Sequence, residues 1–152
     1  MVMEIHEDQP LVEAAAGPTR QIWVPMVHRS NAYATTQMPP QIANTQAAAG
    51  TFQVPHDFTA WTRIRLVVYG FGTAIYNLTV RGDGGTCAEG FTTHTQALAA
   101  NYGLVAGTFT CIDLSATMAA FFGALSPGDY VALTVTNNTV GTVVVYGFDL
   151  RY

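Results

Sequence analysis

The 152-residue chain contains no lysine, and its six cationic side chains are all arginines: Arg20, Arg29, Arg63, Arg65, Arg81 and Arg151. Without lysine there is no P-loop amine to reach a nucleotide phosphate and no Schiff-base amine for a carbonyl or pyridoxal substrate. Serine is nearly as scarce. Ser30, Ser115 and Ser126 are all there is, and none stands in a Gly-x-Ser-x-Gly setting, so a serine nucleophile has no support. Charged residues are 11% of the chain, against about 25% in an average soluble domain. Scattered arginines on a chain of net charge −4 do not make a footprint for a nucleic-acid backbone, so no nucleic-acid partner is expected. No apolar run reaches the ~18 residues of a membrane helix, so no membrane partner is expected either. The start, Met1 to Gln9, has acids where a secretory signal has bases and an apolar run. Two cysteines, Cys87 and Cys111, are too few for a disulfide framework. Without a secretion signal the expectation is free thiols, with a single bridge left open.

What is present is apolar, neutral and β-prone. Hydrophobic residues make up 49%. A surface with so little charge is covered by threonine, asparagine and glutamine, or is hidden in an assembly, and a lone monomer of this kind tends to associate. A homo-oligomer is therefore expected. Residues 1–20 read as an extended arm closed by Gly17-Pro18-Thr19 and held by a neighbouring subunit, and residues 21–152 as one domain. Gln21 to Val27 is β-prone but interrupted by Pro25, which suits an edge. Residues 30–50 read as a long loop with one short strand.

Regular alternation follows. Ile64, Leu66 and Val68 share one face of 62–69. Tyr76, Leu78 and Val80 share one face of 74–81. Val131, Leu133 and Val135 share one face of 130–136. A weaker strand is expected over 91–97, and another over 107–113 with Phe109 and Cys111 on one side. Turns are expected at 70–72, at 82–85, at 137–141 and at Ser126-Pro127-Gly128-Asp129, where proline second and glycine third is turn chemistry. The stretch 114–125 breaks the period. Met118, Phe121, Phe122 and Leu125 mark a short helix with Ser115 as its expected N-cap. Strands at this spacing define an all-β sandwich or barrel. The last strand, 142–152, is apolar on both faces at its start. A two-layer sandwich covers only one face, so the other is expected to lie against a second subunit, with the short helix or the arm folding over it as the alternative.

Candidate chemistry is thin. Arg81-Gly82-Asp83 spells a short adhesion triplet, expected at a hairpin tip, but Gly-Asp-Gly-Gly is also plain turn composition. Gly70-Phe71-Gly72 opens like a dinucleotide loop, yet lacks the last glycine and the helix, and reads as a hairpin. His28, His56 and His94 have no second ligand at metal spacing. Asp57, Asp83, Asp113, Asp129 and Asp149 show no carboxylate pair by spacing. Asn77-Leu78-Thr79 and Asn137-Asn138-Thr139 match the glycosylation sequon but read as strand and turn residues. Trp23, Trp61 and Tyr33 have the chemistry to stack on sugars, although core and interface packing is the commoner use. No catalytic residue, cofactor or metal is expected.

The run from Phe121 to Val131, with Leu125-Ser126-Pro127-Gly128-Asp129-Tyr130-Val131 at its end, resembles the leucine, Gly-Asp, valine signature of jelly-roll domains of the C1q and tumour-necrosis-factor-like type. The ending Val145-Tyr146-Gly147-Phe148-Asp149-Leu150-Arg151-Tyr152 resembles their closing strand. Trimeric phage virion proteins, including capsid decoration (cement) proteins and fibre tips, look similar. The resemblance implies a jelly-roll β-sandwich of about eight strands whose last strand lies near a threefold axis. It further implies a homotrimer that decorates a capsid, with the major capsid protein as partner and the virion surface as its place. Trp23, Tyr146 and Phe148 are the expected packing anchors. The alternative is a receptor- or glycan-binding tip, and the absence of a stalk, of a signal peptide and of a secreted cysteine pattern favours the virion.

Overall fold

The structure, a computed structural model, describes residues 19–28, 39–72 and 74–152. The proposed arm, Tyr33 and Arg29 therefore lie outside the described residues, apart from Thr19 and Arg20. Ten strands and one helix follow in order: β1 (Gln21–Pro25), β2 (Val27–His28), β3 (Gln41–Ile42), β4 (Ala47–Gln53), β5 (Arg63–Gly70), β6 (Ala74–Gly85), β7 (His94–Leu104), β8 (Phe109–Asp113), α1 (Ala119–Ala124), β9 (Tyr130–Asn137) and β10 (Val143–Arg151). They form two antiparallel sheets. Sheet A runs β1-β10-β5-β8, with β3 sharing the β1 side of β10, and sheet B runs β2-β4-β9-β6-β7. Apart from the two-residue strands β2 and β3, this is a pair of four-stranded sheets in which chain neighbours sit mostly in opposite layers. That is the jelly-roll arrangement of a β-sandwich.

Alternation drives the layering. Ile64, Leu66 and Val68 of β5, Leu78 and Val80 of β6, Leu133 and Val135 of β9, and Phe148 and Leu150 of β10 are all buried between the sheets. Each contributes roughly 1.5–3 kcal/mol of gross burial. Several boundaries differ from the sequence expectation, each for a tertiary reason. The segment 82–85 is not a turn. β6 continues through it, because β9 and β7 pair with it on both sides. Arg81-Gly82-Asp83 is thus mid-strand and not at a hairpin tip. The link 70–74 is not a hairpin either, since β5 and β6 belong to different sheets. β7 covers His94–Leu104 rather than 91–97, because continuous pairing with β6 overrides the weak β propensity of Ala97, Ala99 and Ala100.

The helix buries Met118, Phe121, Phe122 and Leu125 as its period predicts. It spans only Ala119–Ala124, and Ser115 does not cap it: Met118 holds the N-cap position without a side-chain bond. The Ser115 hydroxyl instead accepts from the Ile64 amide at 3.0 Å. The turn Ser126-Pro127-Gly128-Asp129 forms as expected. Gly128 has φ of +92°, the conformation a type II turn requires at its third position, and the Asp129 amide donates to the Ser126 carbonyl at 3.1 Å.

Candidate interaction surfaces

The outer face of sheet A is built by the residues that alternate away from the core. Gln21, Trp23 and Pro25 come from β1, and Arg63, Arg65, Val67 and Tyr69 from β5. β8 adds Phe109, Cys111 and Asp113, and β10 adds Tyr146, Gly147, Asp149 and Arg151. Registration sorts this face into two halves. In the polar half, Asp149 accepts from Gln21 at 2.7 Å and from Arg63 at 3.3 Å, and lies 3.8 Å from Arg151. In the apolar half, Tyr69 packs edge-on against Phe71 and Phe109, and Phe109 against Tyr146 with ring centroids 4.8 Å apart. Trp23 lies over Gly147, where a Cβ would stand 2.8 Å from the indole ring. Trp23 remains 46% exposed and Phe109 58%. Exposed aromatics gathered on one sheet face are the kind of apolar patch that marks an interaction site.

The three expected anchors separate here. Trp23 and Tyr146 are on this outer face. Phe148 is not: it is 0% exposed, inside the core. The cause is a β-bulge in β10. The pairing with β5 runs Val145↔Val68 and then Gly147↔Val67, which leaves Tyr146 as the extra residue. Val143 and Val145 point inward before the bulge, and Phe148 and Leu150 after it. The two-sided apolar character of this strand is therefore partly a change of face and not wholly an exposed second face. Both edges of β10 are paired within the chain.

A second aromatic surface lies at one end of sheet B, where Thr51, Phe52, Gln53, Phe91, Tyr130 and Val131 line a cleft of about 440 Å³. Phe91 is 60% exposed and Tyr130 50%. A hydrogen bond with Cys87, followed by the thiol's charge, pushes the Tyr130 phenol up from its ordinary value. Cys87 and Cys111 are both free and exposed. This cleft was not legible in the sequence, because Phe91 sits in a loop and Tyr130 follows a turn.

The remaining candidates are accounted for singly. Trp61 packs against Phe52, Phe58, Phe122 and Tyr152, with ring centroids between 4.6 and 5.9 Å, and with Phe58 and Phe122 it also lines a cavity of about 300 Å³. Arg81 donates twice to Asp83, at 2.6 and 2.8 Å, which occupies the adhesion triplet's two charges with each other. The Asn137 amide is buried and donates to the carbonyls of Ile42 and Gly141, so that sequon's acceptor nitrogen is engaged. Asn77 donates to Asn101 at 2.9 Å. Among the described residues no three His, Cys, Asp or Glu side chains gather as a metal site, and no helix is long and apolar enough to cross a membrane.

Fold and surface together define a two-sheet jelly-roll sandwich with exposed aromatic patches. No protein-family model matches the chain, and no curated protein matches it by sequence. Among solved structures it is similar to tripeptidyl peptidase 2, with a TM-score of 0.49 and 9% identity, covering 84% of this chain and 10% of that one. It is similar to TmCBM61 in complex with beta-1,4-galactotriose, with a TM-score of 0.38, 8% identity and 88% of each chain covered. It is also similar to a family 11 carbohydrate-binding module from Clostridium thermocellum in complex with a beta-1,3-1,4-mixed-linked tetrasaccharide, with a TM-score of 0.40, 11% identity and 91% of each chain covered. At these values none identifies a family for the chain.

Proposed function

We propose that this jelly roll is a non-catalytic structural subunit that forms a homotrimer through the outer face of sheet A, and that its place is a virion surface as a capsid decoration (cement) protein. The observation that supports the reading is the aromatic half-face of exposed Trp23 and Phe109 with half-buried Tyr69 and Tyr146, beside an ion-paired polar half. A desolvatable aromatic patch bordered by polar groups suits a protein interface. The C-terminal resemblance supplies the trimer and the virion. Burial of aromatic surface between protomers is the whole mechanism, and no reacting group is needed. The test is native mass by sedimentation. A species of about three times 16.3 kDa is expected at micromolar concentration, and a Trp23→Ser/Tyr146→Ser variant should dissociate. Loss of aromatic anchors of this kind costs about 2 kcal/mol or more, roughly thirtyfold in dissociation constant. A 16.3 kDa monomer at all these concentrations sinks the proposal.

The cleft at Phe91 and Tyr130 favours a second reading, a glycan-binding tip. Two exposed rings beside Thr51 and Gln53 provide an apolar surface for a sugar face with polar groups at its edge. A glycan array separates the readings. Binding that disappears in Phe91→Ala and Tyr130→Ala supports the glycan tip, and an array blank for the unsubstituted protein removes it.

A further inference from the structure

Among the described residues the sandwich has four sheet edges, and they are unequal. β2 and β3 are two residues long, and β1 has five residues ending on Pro25. β8 has five residues and ends on Asp113. Short strands, proline and charge are the devices that keep edges from pairing with other chains. β7 has none of them, and α1 reaches it through Gln96 on its inward side. The strand runs for eleven residues, His94–Leu104, with no proline, no lysine, no arginine and no carboxylate. Its register with β6 is unbroken from Ala74↔Leu104 to Gly84↔His94, so no bulge twists it away. Among the described residues it pairs with β6 alone.

The side chains on β7 add to this. On its inward side Leu98 and Tyr102 are only partly buried at the rim of the core, and that partial burial pushes the Tyr102 phenol up from its ordinary value. On its outward side Ala97, Ala99, Asn101 and Gly103 are small, neutral and exposed. The strand is thus long, unbroken in register and free of carboxylate, lysine and arginine side chains, with a half-covered apolar flank.

We infer that the free edge of β7 pairs antiparallel with β7 of a second copy of this chain, joining two sheets B into one continuous sheet across a twofold axis. A second copy is the occupant because the edge is complementary to itself. An antiparallel pairing that sets Ala100 opposite its own equivalent puts Leu98 opposite Tyr102 and Ala99 opposite Asn101. This closes the half-covered apolar flank and brings no like charges together. Closed twofold pairing of identical patches is the commonest symmetry of homo-oligomers, and strand addition at an open edge supplies its affinity through backbone hydrogen bonds. The contact uses the edge of sheet B and not the outer face of sheet A, so it stands independently of the trimer.

The test uses the full chain and an Ala97→Lys/Ala99→Lys variant, because edge lysines are a natural block to pairing. Both positions are exposed, so far-UV circular dichroism should stay unchanged, as should the urea midpoint at concentrations too low for association. Sedimentation should show a concentration-dependent doubling of the basic unit, whether that unit is a monomer or a trimer. Hydrogen exchange should show the β7 amides that face away from β6 becoming protected over the same concentrations. In the lysine variant the doubling should weaken by at least about tenfold, with that protection lost. The Trp23→Ser/Tyr146→Ser variant should keep the doubling even where it loses the trimer. The inference is overturned if the outward β7 amides exchange at open-edge rates at the highest concentration. It is equally overturned if the lysine variant leaves both the mass and the protection as they were.

Discussion

Gly82 shows how much one missing side chain decides. A Cβ there would lie 2.3 Å from the ring of Phe121, which packs directly on the strand backbone. Neither the buried ring nor the doubly paired strand has room to move, so Gly82→Ala should cost about 2–3 kcal/mol, read as a lower urea midpoint. An unchanged midpoint would mean that the helix lies elsewhere. Asp113 makes a different residue-scale prediction. The Ser115 hydroxyl and then its backbone amide hydrogen-bond to the carboxylate, and Arg65 and Arg63 add attraction, so its pKa is held below the ordinary value. A depressed folded-state pKa adds stability above the unfolded carboxylate value, and this is lost as pH falls through the folded one. Stability should therefore drop on acidification below the usual carboxylate range. Asp113→Asn should flatten that limb in urea unfolding taken at several pH values. An identical pH slope in both proteins would remove Asp113 from the account.

At the scale of elements, α1 is a helix that does not hold itself. It has six residues, no side-chain N-cap bond, no acidic residue in its first turn and no basic one in its last. So short a helix is marginal by itself. Its support comes from β7, where the Gln96 side chain accepts from the Phe121 amide at 2.9 Å and donates to the Thr117 carbonyl at 2.8 Å. Replacing Gln96 by leucine removes both bonds and leaves the amide of buried Phe121 without its partner, while the exposed Thr117 carbonyl turns to water, at a cost of about 1–2 kcal/mol. Amides of 119–124 should then exchange faster while those of β9 and β10 do not. Uniform acceleration throughout the chain would show that the clamp is not local. The β10 bulge is the other decisive element. One extra residue at Tyr146 turns Phe148 into the core and leaves Tyr146 on the outer face, which puts two rings two residues apart on opposite sides of the sheet.

For the whole molecule, low charge and exposed aromatics act together. The proposed association would stabilise the folded chain by mass action, and it predicts a melting temperature that rises with protein concentration. In Trp23→Ser/Tyr146→Ser that rise should shrink and the melting temperature at the lowest concentration should change little, because the exposed Trp23 and half-buried Tyr146 add less to the fold than to a contact. A melting temperature independent of concentration in the unsubstituted protein would argue for a monomer.

The layered all-β architecture was legible in the sequence, because a period of two is a local property that Ile64, Leu66 and Val68 or Val131, Leu133 and Val135 express without help from elsewhere. The turn at Ser126–Asp129 and the apolar side of the helix were legible for the same reason, since proline, glycine and helical spacing act within a few residues. Tertiary structure alone decided what depends on partners distant in the chain. Gly82-Asp83-Gly84-Gly85 has the composition of a turn, yet it is strand because β9 and β7 hold it on both sides. Phe148 and Tyr146 look equivalent in an alternating run, and only the mismatch between Val145 and Gly147 opposite β5 sends them to opposite faces. The cleft of Phe91 and Tyr130 and the open edge of β7 follow from which strand ends a sheet, and no local pattern carries that information.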